Sequence, residues 1–495
     1  MGAADDAGDA EAATALIYRK PDGEDPGGAP LSAADSLAME TACVRKLNRN
    51  VLSILFAVAM MCYIDRTNLA FASVNMTADL GFNPQVYGLG SGLFFLGYSV
   101  AMVPAQIVLL RIGAPRALAA IVAAWGLVAM AFSTLEGERQ FYFLRLLLGA
   151  FESGAFPAMW YYINSWYPSN HITLSYSVIE AAVGAANCLA APLAAALLLT
   201  DGFMGLRGWQ VLFFVEGLPS VLLGVTIWHT LPRYIHDARF LAPAERAWLA
   251  AAAAGPRKHA EQAEALGTRR LLGEALSNRR LWLIIITGMM RNAALNGVLF
   301  FAPKLVDAIL TGSAIQIART HSAGSTRGLL GIGPAAPASA GVRAALLTSV
   351  PFVLSAGASL LLAKRVQERG ERCRHMSVLW FCSAGLFSLF SAAAGHSPQA
   401  AFACLSAAVV AATAPNALLN TLAAAASQGP AQAVSLSFYN AVANVGGLVG
   451  PLFIGFVVHR TGVYTVAMFG LGMLLAVSAS LAWFMQRWGL DRVER

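Results

Sequence analysis

Seven ionisable residues fall inside otherwise apolar stretches of this chain: Asp65 and Arg66 in CYIDRTNLAFASVNM, Arg145 and Glu152, Glu180, Glu216, and Arg291. A charge in mid-bilayer is costly, so it faces a partner or a water-filled cavity. Carboxylates in that setting can carry protons, and arginines can hold an anion. At about 1.5 Å per residue, a helix entered near Val51 puts Asp65 about 21 Å deep in a core of roughly 30 Å. A helix entered from the other face near Arg139 puts Arg145 at about the same level. The expectation is that Asp65 and Arg145 meet, either as a switch or as a static salt bridge. Glu152, seven residues past Arg145, lies on the same face about 10 Å deeper. Arg291 sits near the midplane with no acid assigned to it. Protonating Asp65 or Glu152 would free a further positive charge, which suits an anion accompanied by a proton. For Glu180 and Glu216 structural roles stay open; Glu216 precedes a Gly/Pro break, where it can bond freed backbone groups or a neighbouring helix.

These charges need apolar helices to carry them. Of 495 residues, 57% are hydrophobic and only 12% charged, with a mean hydropathy of +0.60. Soluble domains carry about twice that charged fraction. Twelve apolar runs, separated by polar breaks, predict an all-α polytopic membrane protein. The expected organisation is a disordered cytoplasmic tail over 1–45, a six-helix bundle over 46–231, and a central cytoplasmic loop over 232–278. A second six-helix bundle follows over 279–486, with an exofacial insertion at 310–341, and then a short tail over 487–495. Lys and Arg crowd one set of loops (Arg45, Lys46, Arg49; Arg257 to Arg280; Lys364 to Arg374), which puts both termini in the cytoplasm. That placement explains the net charge of +7 without nucleic acid. The six cysteines lack paired or zinc-like spacing and read as small apolar residues. The small-residue runs ahead of Pro192 and Pro451 suggest two repeated halves with close helix packing between them.

The stretches YIDRTNLAFA…M…DLGF, GLFFLGYSVAMVP, FLRLLLGAFESGAFP…WYP, GWQVLFFVEGLPSVLLGV and NAVANVGGLVGPLFIGFVVHRTGVY resemble the anion:cation symporter family of the major facilitator superfamily, over about Lys46 to Gln486. The resemblance implies the major facilitator fold and an alternating-access carrier for small organic anions, often proton-driven. By position, Asp65, Arg145 and Glu152 match the family's coupling and gating charges. Arg66 matches its substrate-carboxylate arginine, Tyr63 and Tyr98 its cavity aromatics, and Asn440 a polar substrate contact. Packing or interhelical bonding stays open for Tyr98 and Asn440. Arg291, twelve residues before Pro303, has a spacing similar to the anion-binding arginine of the related vesicular glutamate, sialic acid and phosphate carriers. Departures are Met102 in place of an acid, Asn170 and His171 in place of a basic loop, and Lys364 in place of an Asp.

No cofactor is expected beyond the proton gradient as driving force. The expected partners are a small organic anion, protons and the bilayer, with a monomer in the plasma membrane or an organelle membrane. An anion exchanger or facilitative organic anion or phosphate carrier without proton coupling, or a non-transporting nutrient sensor, are the alternatives. No metal cluster, nucleophile elbow or phosphate loop suggests an enzyme.

Overall fold

The structure, a computed structural model, describes residues 33–253, 268–311, 338–369, 371–426 and 431–489. Among them the chain is helical throughout, and the helices form twelve passes: α1 (Ser53–Asp79), α2 (Pro84–Ile112), α3 (Ala114–Ala131), α4 (Glu138–Glu152, continued by Ala155–Trp166), α5 (Ser169–Leu198) and α6 (Gly208–Thr230) in the first half. The second half holds α7 (Arg279–Leu310), α8 (Ala338–Arg369), α9 (Arg372–His396), α10 (Pro398–Thr413 and Asn416–Ala425), α11 (Ala431–Ala443 and Val445–Thr461) and α12 (Tyr464–Arg487). Ten are long and apolar enough to cross a membrane; α2 and the interrupted α4 complete the twelve.

Local chemistry sets the boundaries. Asn83 caps α2, its side chain accepting from Val86 N with Pro84 at the first helical position. Asn278 caps α7, accepting from Arg280 N and Leu281 N, and Ser397, followed by Pro398, caps α10. Gly462, in the left-handed region at φ 69°, ends α11 and lets α12 reverse direction.

The packing repeats with a period of six helices. Contacts of α3 with α6, α2 with α4, and α1 with α5 recur as α9 with α12, α8 with α10, and α7 with α11. The halves meet along α2/α11, α5/α8 and α1/α7. Near the start of α2 this seam is tight: a Cβ on Gly455 would lie 2.5 Å from Pro84 O and 3.0 Å from Gly88 Cα. Backbones approach this closely only without side chains. Tyr87 Oη donates to Phe300 O across the same seam at 2.7 Å. We call this the distal end; the N-terminal helix lies at the other, tail end.

One expectation changes here. The stretch from Ala33 to Leu47 is helical, not a disordered tail, and runs through a π-helical turn (Asn48–Leu52) into α1. Residues 1–32, 312–337 of the expected insertion, 254–267 of the central loop and 490–495 lie outside the described residues. The N-terminal helix is clasped twice. Glu40 Oε1 meets Asn170 Nδ2 at 2.7 Å and His171 Nε2 at 2.8 Å, which gives the unusual 4–5 loop residues a partner. Lys46 Nζ donates to both oxygens of Glu245 at 2.8 Å. Glu245 also accepts from Ala242 N, capping the surface helix Pro243–Ala252.

The bonding ammonium of Lys46 holds the Glu245 carboxyl below the ordinary carboxylate range. A group depressed in the folded state stabilises above its ordinary value, about 4.3 for Glu, and loses that contribution as pH falls through the folded value. Half-exposed Lys46 limits the clasp to about 0.5–1 kcal/mol. Glu245→Ala is expected to lower the thermal midpoint slightly at pH 7 and to converge with the wild type under acid, as melting curves across pH would show.

Candidate functional site

The centre of the first half is Arg66. Its guanidinium pairs with Glu152 Oε1 and lies over three aromatic rings: Tyr63 at 5.0 Å, Phe94 at 5.2 Å and Tyr98 at 5.5 Å. Cation–π contact of this kind gains strength where water is displaced. Cys62, one turn before Arg66 on the same face of α1, donates Sγ–H to Glu152 Oε1 at 2.9 Å. Cys62 is expected from sequence to be a small apolar residue; its i, i+4 spacing to Arg66 is the one signal of this contact. Glu152 ends the first piece of α4, where Ser153 and Gly154 interrupt the helix before Ala155.

Asp65 and Arg145 do not form the expected pair. The reason is depth. The helical run that ends with α1 at Asp79 begins before Val51, in the N-terminal helix and the π-turn, so counting from the distal ends is the sounder measure. Asp65, Arg66 and Glu152 each lie about 20 Å from those ends, and Arg145 only about 10 Å. Arg145, 1% exposed, instead donates to the carbonyls of Gly90 (3.3 Å) and Ser91 (3.4 Å). Its guanidinium sits against Phe94 and, from the other half, Phe300. Asp65 points away from the Arg66 face, as a 100° step around a helix requires, and accepts from Ser220 Oγ of α6 at 3.2 Å.

In the second half, Arg291 is 5% exposed and donates Nη1 to Asn416 Oδ1, while its Nε has no partner. Tyr439 packs its ring on Gly288, one turn before Arg291, and its hydroxyl comes close to the guanidinium. No carboxylate pairs with Arg291 among the described residues. Tyr63 lies under Arg66 on α1, a helix that packs against α7, which carries Arg291. Asn416 and Tyr439 were missed from sequence; Asn416, itself exposed, follows the Pro415 break of α10 and reaches Arg291 from there.

The other candidates are more scattered. Asn440 is half-buried on α11 beside Tyr439, and no hydrogen bond joins its side chain to either arginine. Glu180 is exposed on α5, on the side of Tyr63. Glu216 is 4% exposed and lies against Asn68 of α1, the neighbouring-helix option rather than the backbone one. Among the described residues, no group of three or more His, Cys, Asp or Glu could hold a metal ion.

The arrangement provides one compensated arginine and one uncompensated arginine on facing halves, with tyrosines between. The chain spans the twelve-helix architecture in full, and known proteins share it. Residues 55–363 match the model of the Major Facilitator Superfamily. A candidate tartrate transporter of Agrobacterium vitis is 27% identical over 449 residues, 91% of this chain and 96% of the relative. A quinolone resistance transporter of Acinetobacter baumannii is 29% identical, covering 88% and 93%. Among solved structures, a bacterial homologue of the human lysosomal transporter Spinster, inward-facing and unoccupied, aligns with a TM-score of 0.65 at 15% identity over 90% of this chain and 98% of that one. The D-xylose–proton symporter aligns at 0.63 and 13% identity over 88% and 97%; likenesses at such identity show the fold. With the family match extending over more than half its length, the chain belongs to the major facilitator superfamily and is a multi-pass membrane transporter, not an enzyme.

Proposed function

We propose that the protein is a proton-coupled symporter for a small organic anion, with a dicarboxylate or hydroxy acid as the substrate class. One observation carries the reading: Arg291 is buried, paired only with the neutral Asn416, and faces a half that supplies Arg66. An isolated buried cation is expensive unless an anion completes it. Two guanidinium forks on opposite halves suit two carboxylate groups, which each can bind with paired N–H donors. The tartrate name of two relatives is compatible with that chemistry.

Proton coupling follows from the Arg66–Glu152 pair. Protonating Glu152 releases Arg66 for the substrate; binding an anion to Arg66 weakens its hold on Glu152. Either event favours the other, which is the reciprocity that symport requires. The Lys/Arg bias supports a tail end in the cytoplasm, so the tight distal seam belongs to a form closed on the outside. Resident cofactors are not needed; the proton gradient supplies the work. The membrane is proposed to be the plasma membrane and the carrier a monomer.

The substrate class is tested by binding to the purified protein. Tartrate and related dicarboxylates are expected to raise the thermal midpoint, and an uncharged sugar is expected not to. Arg291→Ala should weaken the dicarboxylate response at least about ten-fold, and a monocarboxylate response less, because one fork is lost. An unchanged response to every anion in Arg291→Ala would remove Arg291 from the site.

A further inference from the structure

Behind Arg66, on the face of α1 that turns into the first half, lies a second polar cluster that the anion site does not use. Asp65 and Asn68 are one turn apart on α1. Glu216 and Ser220 are one turn apart on α6, which packs antiparallel to it. Ser220 bonds Asp65, and Asn68 lies against Glu216, so the four form a two-rung ladder. Trp125 of α3 brings its ring nitrogen next to the Asp65 carboxyl without closing a hydrogen bond. Asp65 and Glu216 are each 4% exposed and Asn68 1%.

The hydrogen-bond account of this ladder does not close. Asp65 Oδ1, Asn68 Oδ1 and both oxygens of Glu216 have no partner, and all four are acceptors. Among the described residues, no cation compensates them. Arg66 is taken by Glu152, and Arg145 by the Gly90 and Ser91 carbonyls. The other charged groups on the surrounding elements are Glu152 on α4, Glu180, exposed on α5, and Arg291 and Lys304 on α7, against the other side of α1, with Asp79, Arg116, Glu138, Arg139, Arg279, Arg280 and Asp307 toward the helix ends. Buried polar atoms left unbonded cost about 1–3 kcal/mol each, and a buried unpaired charge costs more.

We infer that Glu216 is a proton-binding site, held as a neutral carboxylic acid that donates its O–H to Asn68 Oδ1 and accepts from the Asn68 amide on its other oxygen. An acid and a carboxamide close two hydrogen bonds face to face; a carboxylate and a carboxamide close only one, and leave the Asn68 oxygen unbonded. One proton therefore satisfies three of the four unpartnered acceptors and removes one buried charge. It adds no negative charge beside Asp65. The site lies outside the anion cavity and stands whichever anion that cavity takes.

Infrared difference spectroscopy on the purified full-length protein in liposomes tests this. At pH 7 the wild type is expected to show a protonated-carboxyl C=O band that is absent in Glu216→Gln and present in Asp65→Asn. Asn68→Ala should move the same band to higher wavenumber, since its hydrogen bonds are lost; that shift, read with ¹³C-labelled glutamate, needs no change at Glu216 itself. Glu216→Gln, which keeps a donor and an acceptor toward Asn68, should melt with the wild type, whereas Glu216→Ala should melt lower. A wild-type spectrum at pH 7 without a ¹³C-sensitive carboxylic-acid band, or with one unchanged by both Glu216→Gln and Asn68→Ala, would overturn the assignment.

Discussion

Arg66→Ala is expected to abolish concentrative uptake of the substrate anion, with a fall of at least about thirty-fold in uptake rate, because it removes the substrate's partner and strands Glu152 at once. Breaking one side of a buried charge pair costs about 2–5 kcal/mol, and most of that is the unpaired charge left behind. Glu152 is 1% exposed and would keep only the Cys62 thiol. Arg66→Lys separates charge from geometry. An ammonium retains the sign but neither the planar fork nor the stacking on Tyr63, Phe94 and Tyr98. It should retain measurable but strongly reduced uptake, roughly ten-fold down, with the substrate concentration for half-maximal rate raised. Initial-rate uptake of labelled substrate into proteoliposomes reads both. Full activity in Arg66→Ala would mean that the anion binds elsewhere.

The second large effect is expected at the seam, away from the Arg66–Glu152 pair. Gly455→Leu places a branched side chain where Pro84 O stands 2.5 Å from the Cβ position and the Gly88 backbone lies just beyond. Neither neighbour is a flexible side-chain end that could step aside. The distal end of α11 must therefore separate from α2, and the Tyr87–Phe300 bond across the seam must break with it. Transport that depends on closing this end should fall to background while the protein still folds, since each half keeps its own packing. Leu448→Cys, placed on α11 where it faces Gly92, reports the change. In a background without other reactive thiols, a membrane-impermeant reagent added from the outer side should label it faster in Gly455→Leu than in the parent. Equal labelling would show that the seam opens without help at this contact.

Much of this architecture could be read from residue types alone. Twelve apolar runs, split six and six by a long polar break, foretell the passes and the pairing of halves, because lipid admits only helices or closed barrels. The cap residues Asn83 with Pro84, and Ser397 with Pro398, mark helix starts directly. The clusters were harder. Arg66, Tyr63, Tyr98 and Glu152 are drawn together by the face of α1 and the break in α4, which spacing along single helices only partly reveals. Asp65 and Arg66 are adjacent in sequence yet point about 100° apart, one to Ser220 on α6 and one to Glu152 on α4. Setting the depth of α1 from Val51 placed Asp65 opposite Arg145; the helix in fact begins before Val51 and is fixed at its other end, where Asp79 accepts from Trp209 at 2.9 Å. Asn68, Ser220 and Asn416 carry no signal of their own in the sequence, since neutral polar residues in helices are common and only their neighbours give them a role.

The central claim is that anion binding at Arg66 and proton binding at Glu152 are one coupled event. The most direct measurement is the movement of protons into proteoliposomes when tartrate or another dicarboxylate is added outside with no imposed gradient. The account predicts alkalinisation of the outer medium in step with substrate entry, and its loss in Glu152→Gln, whose neutral side chain no longer takes up and releases a proton. Substrate entry without proton movement, or proton movement that survives intact in Glu152→Gln, would contradict it.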